Sequence, residues 1–455
     1  MRIHLIAIGG SAMHNIAMAL YYNHHTVSGS DDEVYNPARD RLANCGLLPK
    51  KMGWNPDQIT RELDLIILGM HARPDNPELL RAKALNIPIY SYPAYVYEQA
   101  KTQKRVVIAG SHGKTTTTSM VMHVLKHYQK DFDYLVGAQL EGFETMARFS
   151  DAPVTIIEGD EYLSSPIDRR PKFLHYLPDL AVITGIAWDH INVFPDFADY
   201  KNQFLLLAQS MPASGKLFYY KNDPHLPKLL SEPSIVCEVI PYEGFKFRVI
   251  NNQTLLINDT GKEIPLKIFG AHNLQNLQAA FFLCKALGIS SADFFKAIKS
   301  FKGAAKRLDF LCKTDTAVAY KDFAHAPSKV KATTQAMKAQ YPKRKLVACV
   351  ELHTFSSLNK KFLPHYKNTL EAADRAFVYY SEHTLKMKKL PAIKPADIQK
   401  AFNHPNLTVI QNDFSKLATA LKRFGWKEQN LLLMTSGNFG GWEMKKAASS
   451  LLKKF

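Results

Sequence analysis

The sequence predicts an α/β fold in three domains, on three observations. Short apolar runs alternate with helix-like segments, the pattern of parallel strands joined by helical crossovers. At roughly 100–200 residues per domain, the 455 residues make three domains that can each bury a core. Two polar breaks, Glu98 to Arg105 and the basic segment from Lys302 to Arg307, each precede a fresh series of strands. The expected domains are residues 1–102, 103–303 and 304–455.

In the first domain Ile3 to Ile8 reads as a strand, Gly9-Gly10 as a tight turn, and Ser11 to Tyr22 as the helix that follows. Further strands are expected at Thr26 to Gly29, Leu65 to Leu68 and Ile87 to Tyr90, which makes the domain Rossmann-like. The second domain opens with Val106 to Ala109 and continues with Val154 to Ile157 and Leu180 to Thr184, strands whose polar ends suit a ligand at the carboxyl edge of a sheet. Phe218 to Ile268 carries short alternating runs and turns, the mark of a small β-rich addition. The third domain takes strands at Ala317 to Tyr320, Leu346 to Val350, Ala376 to Tyr380, Leu407 to Ile410 and Leu431 to Met434. A helix is expected over Asp413 to Phe424.

Composition narrows the function. With 46% hydrophobic, 11% aromatic and 22% charged residues the chain is of the soluble globular class. Its net charge of +17 calls for an acidic partner, whether nucleic acid, an anionic membrane surface or phosphorylated small molecules. The cations are scattered and form no run that would mark a nucleic-acid tail, so no nucleic-acid partner is expected. No stretch approaches the ~18 apolar residues of a membrane span, and no membrane partner is expected either. The five cysteines are odd in number and lack a CxxC pair, which suggests neither a disulfide framework nor a zinc site. A reducing cytoplasm is the expected setting.

Chemistry concentrates at strand ends. Gly110-Ser111-His112-Gly113-Lys114-Thr115-Thr116 lies between a buried strand and a helix expected near Thr117. Glycines there let backbone N–H groups approach phosphate oxygens, the lysine supplies a cation, and the threonine hydroxyl can ligate Mg²⁺. ATP binding is expected, in a loop shorter than the usual GxxxxGK[ST], since Ile108 stands where the first glycine would be. Glu158 and Asp189-His190 follow the next two strands and are candidate metal partners. His272, Asn273 and Asn276, at the start of a helix, either cap that helix or face a nucleotide base. Arg307 and the stretch Asp322-Phe323-Ala324-His325-Ala326-Pro327 are placed to reach a site between domains.

Taken together and in this order, the loop Ala109 to Thr118, Glu158 to Tyr162, Asp189-His190, Gly270 to Asn276, Lys306-Arg307 and Asp322 to Pro327 resemble the Mur ligase family. Its members are ATP-dependent enzymes that join amino acids or peptides to UDP-N-acetylmuramate in cell-wall synthesis. The resemblance implies a Rossmann-like UDP-binding domain, a central P-loop ATPase-like domain and a C-terminal Rossmann-like α/β domain. It also implies the substrates ATP, UDP-N-acetylmuramate and a cell-wall peptide, with Mg²⁺ as cofactor. Gly110, Ser111, His112, Gly113, Lys114, Thr115, Thr116, His272, Asn273, Asn276, Arg307 and Asp322 would then serve ATP. Thr115 and Glu158 would hold a first metal ion and His190 a second, and His325 would lie near the incoming amine.

The N-terminal segment resembles the branch that uses UDP-N-acetylmuramate itself. Gly9, Gly10, Ser11 and Met13 of the glycine turn, Ser30 and Asp31, and His71 with Asn76 would hold the UDP-sugar, although Ala7, Ala12 and Asn15 replace family glycines. The stretch Asp168 to Tyr176 and Gly437 to Gly441 resemble peptide-adding members and imply the amine of L-Ala-γ-D-Glu-meso-diaminopimelate. Free L-alanine is the alternative amine, and a non-catalytic UDP-sugar-binding protein the alternative of another class. Three features depart from the family: Lys321 and Ala326 replace an aspartate and a histidine, and Glu351 to Ser357 carries no arginine.

Overall fold

The computed structural model describes residues 1–304 and 307–453; Lys306 of the basic motif lies outside them. The chain forms two compact units. Unit one is Met1–Ile186, Phe197–Glu243 and Ala279–Phe294, and unit two is Ala187–Asp196, Gly244–Gln278 and Phe295–Phe455. The expected boundaries at 102 and 303 separate sheets, but each falls inside one of these units.

Unit one begins with β1 (Arg2–Ile6), α1 (Ser11–Tyr22), β2 (Thr26–Ser30), α2 (Ala38–Asn44), β3 (Leu65–Leu68), α3 (Pro77–Ala84), β4 (Ile89–Ser91) and α4 (Tyr92–Ala100). The strands form a parallel sheet in the order β2-β1-β3-β4. The chain therefore reverses direction across the sheet between β1 and β3, the switch point at which ligands bind in such folds. β3 is Leu-Ile-Ile-Leu and buried throughout, as expected of a strand covered on both faces. Tyr92, Tyr95, Val96 and Ala100 are buried along α4 and carry this helix into the stretch expected as a linker, whose last two residues belong to the next strand, so only residues 101–103 remain between them.

That strand is β5 (Lys104–Ala109), followed by α5 (Lys114–His127), β6 (Asp133–Leu135), β7 (Ala147–Arg148), β8 (Val154–Glu158), β9 (Leu180–Ile183), α6 (Phe197–Gln209), β10 (Lys216–Tyr220), α7 (Leu226–Leu229) and β11 (Glu238–Tyr242). The seven strands run in the order β11-β10-β9-β5-β8-β6-β7. Only the β6–β7 pair is antiparallel. Val106 to Ala109 are wholly buried, so the loop that follows β5 leaves from the centre of the sheet.

The β-rich addition appears in unit two as a three-stranded antiparallel sheet of β12 (Phe247–Ile250), β13 (Gln253–Ile257) and β14 (Glu263–Leu266). Its first hairpin turns on Asn251 and Asn252 at φ 49° and 60°, a two-residue turn for which asparagine is well suited. Next come α8 (Ala271–Ala286) and α9 (Ser291–Ile298), which precede the last sheet. That sheet has the order β15-β16-β20-β17-β18-β19. Its strands are β15 (Asp309–Lys313), β16 (Val318–Asp322), β17 (Lys345–Leu352), β18 (Arg375–Tyr380), β19 (Leu407–Gln411) and β20 (Gln429–Met434). The helices are α10 (Pro327–Gln340), α11 (Glu382–Met387), α12 (Pro395–Phe402), α13 (Phe414–Lys422) and α14 (Met444–Leu452). Val347 and Cys349 of β17 face one core, and Ala348 and Val350 the other. The five expected strands are present: four are extended by one to three residues, and the one expected at Ala317 to Tyr320 is shifted to Val318–Asp322. β15 is additional, an antiparallel edge strand with a bulge between Phe310 and Cys312. All five cysteines are free. No described helix is long and apolar enough to cross a membrane.

One buried carboxylate fixes the segment after β9. Asp223 is 6% exposed and accepts from the backbone N–H of Ile186 at 2.7 Å, His225 at 2.9 Å and Leu226 at 3.0 Å. Removing it strands three donors, so Asp223→Ala should destabilise the protein by about 3 kcal/mol, read as a lower thermal midpoint. Asp223→Asn, which keeps an acceptor, should lose less.

Candidate active site

The phosphate loop is built by steric necessity. Gly110 has φ 128° and Gly113 φ 82°, backbone conformations that only glycine adopts without strain. A Cβ on Gly110 would strike the Thr184 hydroxyl. Thr184, at the end of β9, donates from its hydroxyl to the Ala109 carbonyl at 3.1 Å and to the His112 carbonyl. The Ser111 N–H bonds the Gly185 carbonyl at 2.9 Å. Gly113 caps α5, which begins at Lys114 rather than near Thr117, so the N–H groups and positive dipole end of that helix open onto the loop.

Lys114 is 15% exposed at its side chain and lies 2.7 Å from Glu161, whose side chain is 1% exposed. Its Nζ also donates to the Gly110 carbonyl at 2.6 Å. Burial works to strip the ammonium of its proton, but the Glu161, Asp160 and Glu158 carboxylates outweigh it and hold the pKa above its ordinary value. The cation is therefore fixed over the loop. Tyr200, from α6, donates to the other oxygen of Glu161 at 2.8 Å and lies 2.7 Å from Ser111 Oγ. Lys172 pairs with Asp160 at 2.5 Å. Glu161 stands inside the sequence motif but shows no role there; Tyr200 is brought in by the fold and carries no local signal.

The next residue along α5 faces the metal candidate. Thr115 Oγ1 donates to Glu158 Oε1 at 2.7 Å, and the Gly137 N–H donates to Glu158 Oε2 at 3.0 Å. The Gly137 carbonyl in turn accepts from Ser11 Oγ at 3.3 Å, which ties the glycine turn of the first sheet to the same residue. Among the described residues no group of three or more His, Cys, Asp or Glu side chains can hold a metal ion by itself. A hydroxyl and a carboxylate at a phosphate loop nevertheless fit Mg²⁺, which takes oxygen donors and usually keeps few protein ligands beside phosphate and water.

At the first sheet, Ala7 (φ 69°) turns the chain, and the N–H groups of Ala7 and Ile8 both bond the Ser30 carbonyl, at 2.9 and 3.0 Å. Asp31 accepts from the Gly9 N–H at 2.7 Å; burial pushes its carboxyl pKa up. A Cβ on Gly9 would lie 3.0 Å from Asp31 and Val34. Gly10 caps α1 without a side-chain bond, leaving that helix start open, with Ser11 exposed beside it. His71 is exposed on the loop after β3. Of the other expected sugar residues, Met13 is 3% exposed, Ser30 donates to buried Glu78, and Asn76 Oδ1 caps α3 through the N–H groups of Glu78 and Leu79.

Unit two holds the remaining candidates. His190 has φ 53°, unusual for a non-glycine residue, and its N–H bonds Asp189 Oδ1 at 2.8 Å. Lys329 lies 3.7 Å from Asp189. Burial would raise the Asp189 pKa, but Lys329, His190 and His325 outweigh it and hold the carboxyl well below the usual range. Burial, with Lys329, lowers the His325 pKa to about 4; its Nδ1 lies 2.8 Å from the Phe323 carbonyl. At neutral pH this imidazole is uncharged. Asp322 accepts from the N–H groups of Leu308 and Ala324, both at 2.7 Å, so its carboxylate is committed to the backbone. The Arg307 guanidinium lies 4.9 Å from the Phe323 ring centre. Asn273 Nδ2 bonds the Phe269 carbonyl at 2.8 Å and Asn276 is 5% exposed, whereas His272 is half-buried.

The chain matches two family models: residues 108–284 match the Mur ligase middle domain and residues 2–104 the Mur ligase family catalytic domain. It is 27% identical over 454 residues to the UDP-N-acetylmuramate–L-alanyl-γ-D-glutamyl-meso-2,6-diaminoheptandioate ligase of Escherichia coli (strain K12), covering 98% of this chain and 97% of that one. It is 31% identical over 370 residues to the UDP-N-acetylmuramate–L-alanine ligase of Sulfurihydrogenibium sp. (strain YO3AOP1), covering 79% and 78%. Its fold is similar to that of the UDP-N-acetylmuramate–alanine ligase from Thermotoga maritima, with a TM-score of 0.71 at 21% identity over 100% and 99% of the two chains. With its phosphate loop, its strand-end carboxylates and these likenesses, the chain belongs to the Mur ligase family, whose members are ATP-dependent ligases that form C–N bonds.

Proposed function

We propose that the protein joins the lactyl carboxylate of UDP-N-acetylmuramate to the α-amine of L-Ala-γ-D-Glu-meso-diaminopimelate, with ATP as the source of activation. The observation that carries the nucleotide half is the Lys114, Thr115, Glu158 and Glu161 constellation at the carboxyl edge of the central sheet. The peptide half is supported by likeness to the Escherichia coli peptide ligase over 98% of the chain and by the stretch Asp168 to Tyr176. In this reading residues 1–102 take the UDP-sugar, 103–303 take ATP, and 304–455 contribute to amine binding and ligation.

An amide cannot form from a bare carboxylate at useful rates, so the carboxylate first takes the γ-phosphoryl group as an acyl phosphate. Lys114 and the start of α5 offset the charge of the phosphates against which a second anion must approach. Thr115 and Glu158 would hold Mg²⁺, with His190 as the proposed ligand of a second ion; the metal, when bound, supplies further charge neutralisation at the phosphates. The amine then displaces phosphate, with His325, uncharged at neutral pH, available to accept its proton. The reading with free L-alanine as the amine is favoured by the 31% identity to an alanine ligase.

Three outcomes are expected. Lys114→Ala should cut ATP turnover by about 100-fold or more while leaving UDP-sugar binding intact, measured by phosphate release and calorimetry; retained turnover would remove the phosphate-loop assignment. Glu158→Gln should raise the Mg²⁺ concentration needed for half-maximal turnover. With ATP, Mg²⁺ and UDP-N-acetylmuramate present, phosphate release should depend on the tripeptide, and the product should carry the tripeptide's mass; release with L-alanine alone would assign the other amine.

A further inference from the structure

The phosphate loop leaves the carboxyl edge of the seven-stranded sheet, and the opposite edge carries a second feature. There the surface of unit one carries an open cavity of about 770 Å³, inside the ~300–1,000 Å³ span of small-molecule sites. Lys104 and Arg105 enter it from the start of β5, Leu180 from β9 and Lys216 from β10. Residues 101–103 close one side, and Phe282 and Lys285, near the end of α8, close another.

The lining has one dominant sign. Lys101, Lys104, Arg105, Lys216 and Lys285 face a single carboxylate, Asp179. Asp179 is already taken by Arg105, through its backbone N–H at 2.8 Å and its guanidinium at 3.2 and 3.3 Å. Lys101 pairs with Glu98 at 2.5 Å and Lys216 with Glu238 at 2.9 Å. These partners lie outside the cavity, and pairs so exposed contribute little, so a phosphate can displace them. Among the described residues neither Lys104 nor Lys285 has a carboxylate partner.

Between the cations the wall is flat and apolar. Phe218 and Phe282 stack with ring centres 5.5 Å apart and 16° between their planes, with Leu180 and Ile240 beside them. Phe218 is buried, whereas Phe282 keeps part of its surface open. Aromatic faces beside lysines and arginines are the combination that holds a base and its phosphates in nucleic-acid sites.

We infer that this cavity binds a nucleoside phosphate, with the base against Phe282 and the phosphates among Lys104, Lys285 and their neighbours, as a second nucleotide site apart from the phosphate loop. β5 runs from Lys104 to Ala109, so about 17 Å of strand, at ~3.3 Å per residue, separates this cavity from Gly110. The inference rests on unit one alone and does not depend on which amine the enzyme takes.

The test is calorimetry on the full chain with ADP, adenosine and inorganic pyrophosphate as separate probes. Wild-type protein should bind two equivalents of ADP, and Lys114→Ala should retain the second. Combining Lys104→Glu with Lys285→Glu should weaken that second equivalent by about tenfold or more. The melting temperature should not change, since both side chains are exposed. Adenosine and pyrophosphate should each bind more weakly than ADP. A single equivalent in wild type, a second equivalent indifferent to the charge reversals, or pyrophosphate binding as tightly as ADP would overturn the inference.

Discussion

The Lys114 ammonium is bonded to the Gly110 carbonyl and to the buried Glu161 carboxylate, and removing either charge strands the other in a region of low dielectric. Breaking such a pair costs about 3–5 kcal/mol, more than most single contacts in a folded domain. The surrounding order follows from it. Glu161 also receives the Tyr200 hydroxyl, and Tyr200 meets Ser111, so α6 is pinned to the glycine loop from outside. Thr115, one residue along α5, is thereby aimed at Glu158, and the hydroxyl–carboxylate pair takes its place at the end of β8.

A second set of charges is arranged by the same balance in unit two. Asp189 is anionic because the Lys329 ammonium beside it offsets its burial, and His325 is neutral because burial and Lys329 act in the same direction. An anion, an ammonium and a neutral imidazole held close together combine charge with a proton acceptor. The left-handed backbone at His190 is the local cost of directing that loop, and strained residues of this kind gather at working sites.

Much of this was legible in the chain itself. β3, β9 and the Val106 to Ala109 part of β5 read as buried parallel strands because each is an unbroken apolar run, and the glycine, lysine and threonine of the loop announce a phosphate. The edge strand β15 was not legible, since alternating exposure over five residues beside a basic segment resembles a loop until its partner β16 is in place. Asn76 and Asp322 show the converse limit. Both are polar residues at strand or helix ends, where ligand binding and backbone capping have the same sequence signature, and in the fold Asn76 Oδ1 and the Asp322 carboxylate each accept from two N–H groups. Tyr200 had no signal because its meaning arises from Ser111, 89 residues away.

Gly137 joins two of these places through one peptide group on each side of its Cα. Its N–H is held by Glu158 and its carbonyl by Ser11, and because peptide units are planar only two backbone torsions separate the groups. A Cβ there would sit 3.6 Å from the Glu158 carboxylate, ordinary contact, so the position is tight without being blocked. A change at Ser11 therefore turns a short, stiff lever whose other arm is the carboxylate facing Thr115. The link has no preferred direction: a displacement at the turn after β1 reaches Glu158 through this one residue, and a displacement at Glu158 reaches the turn.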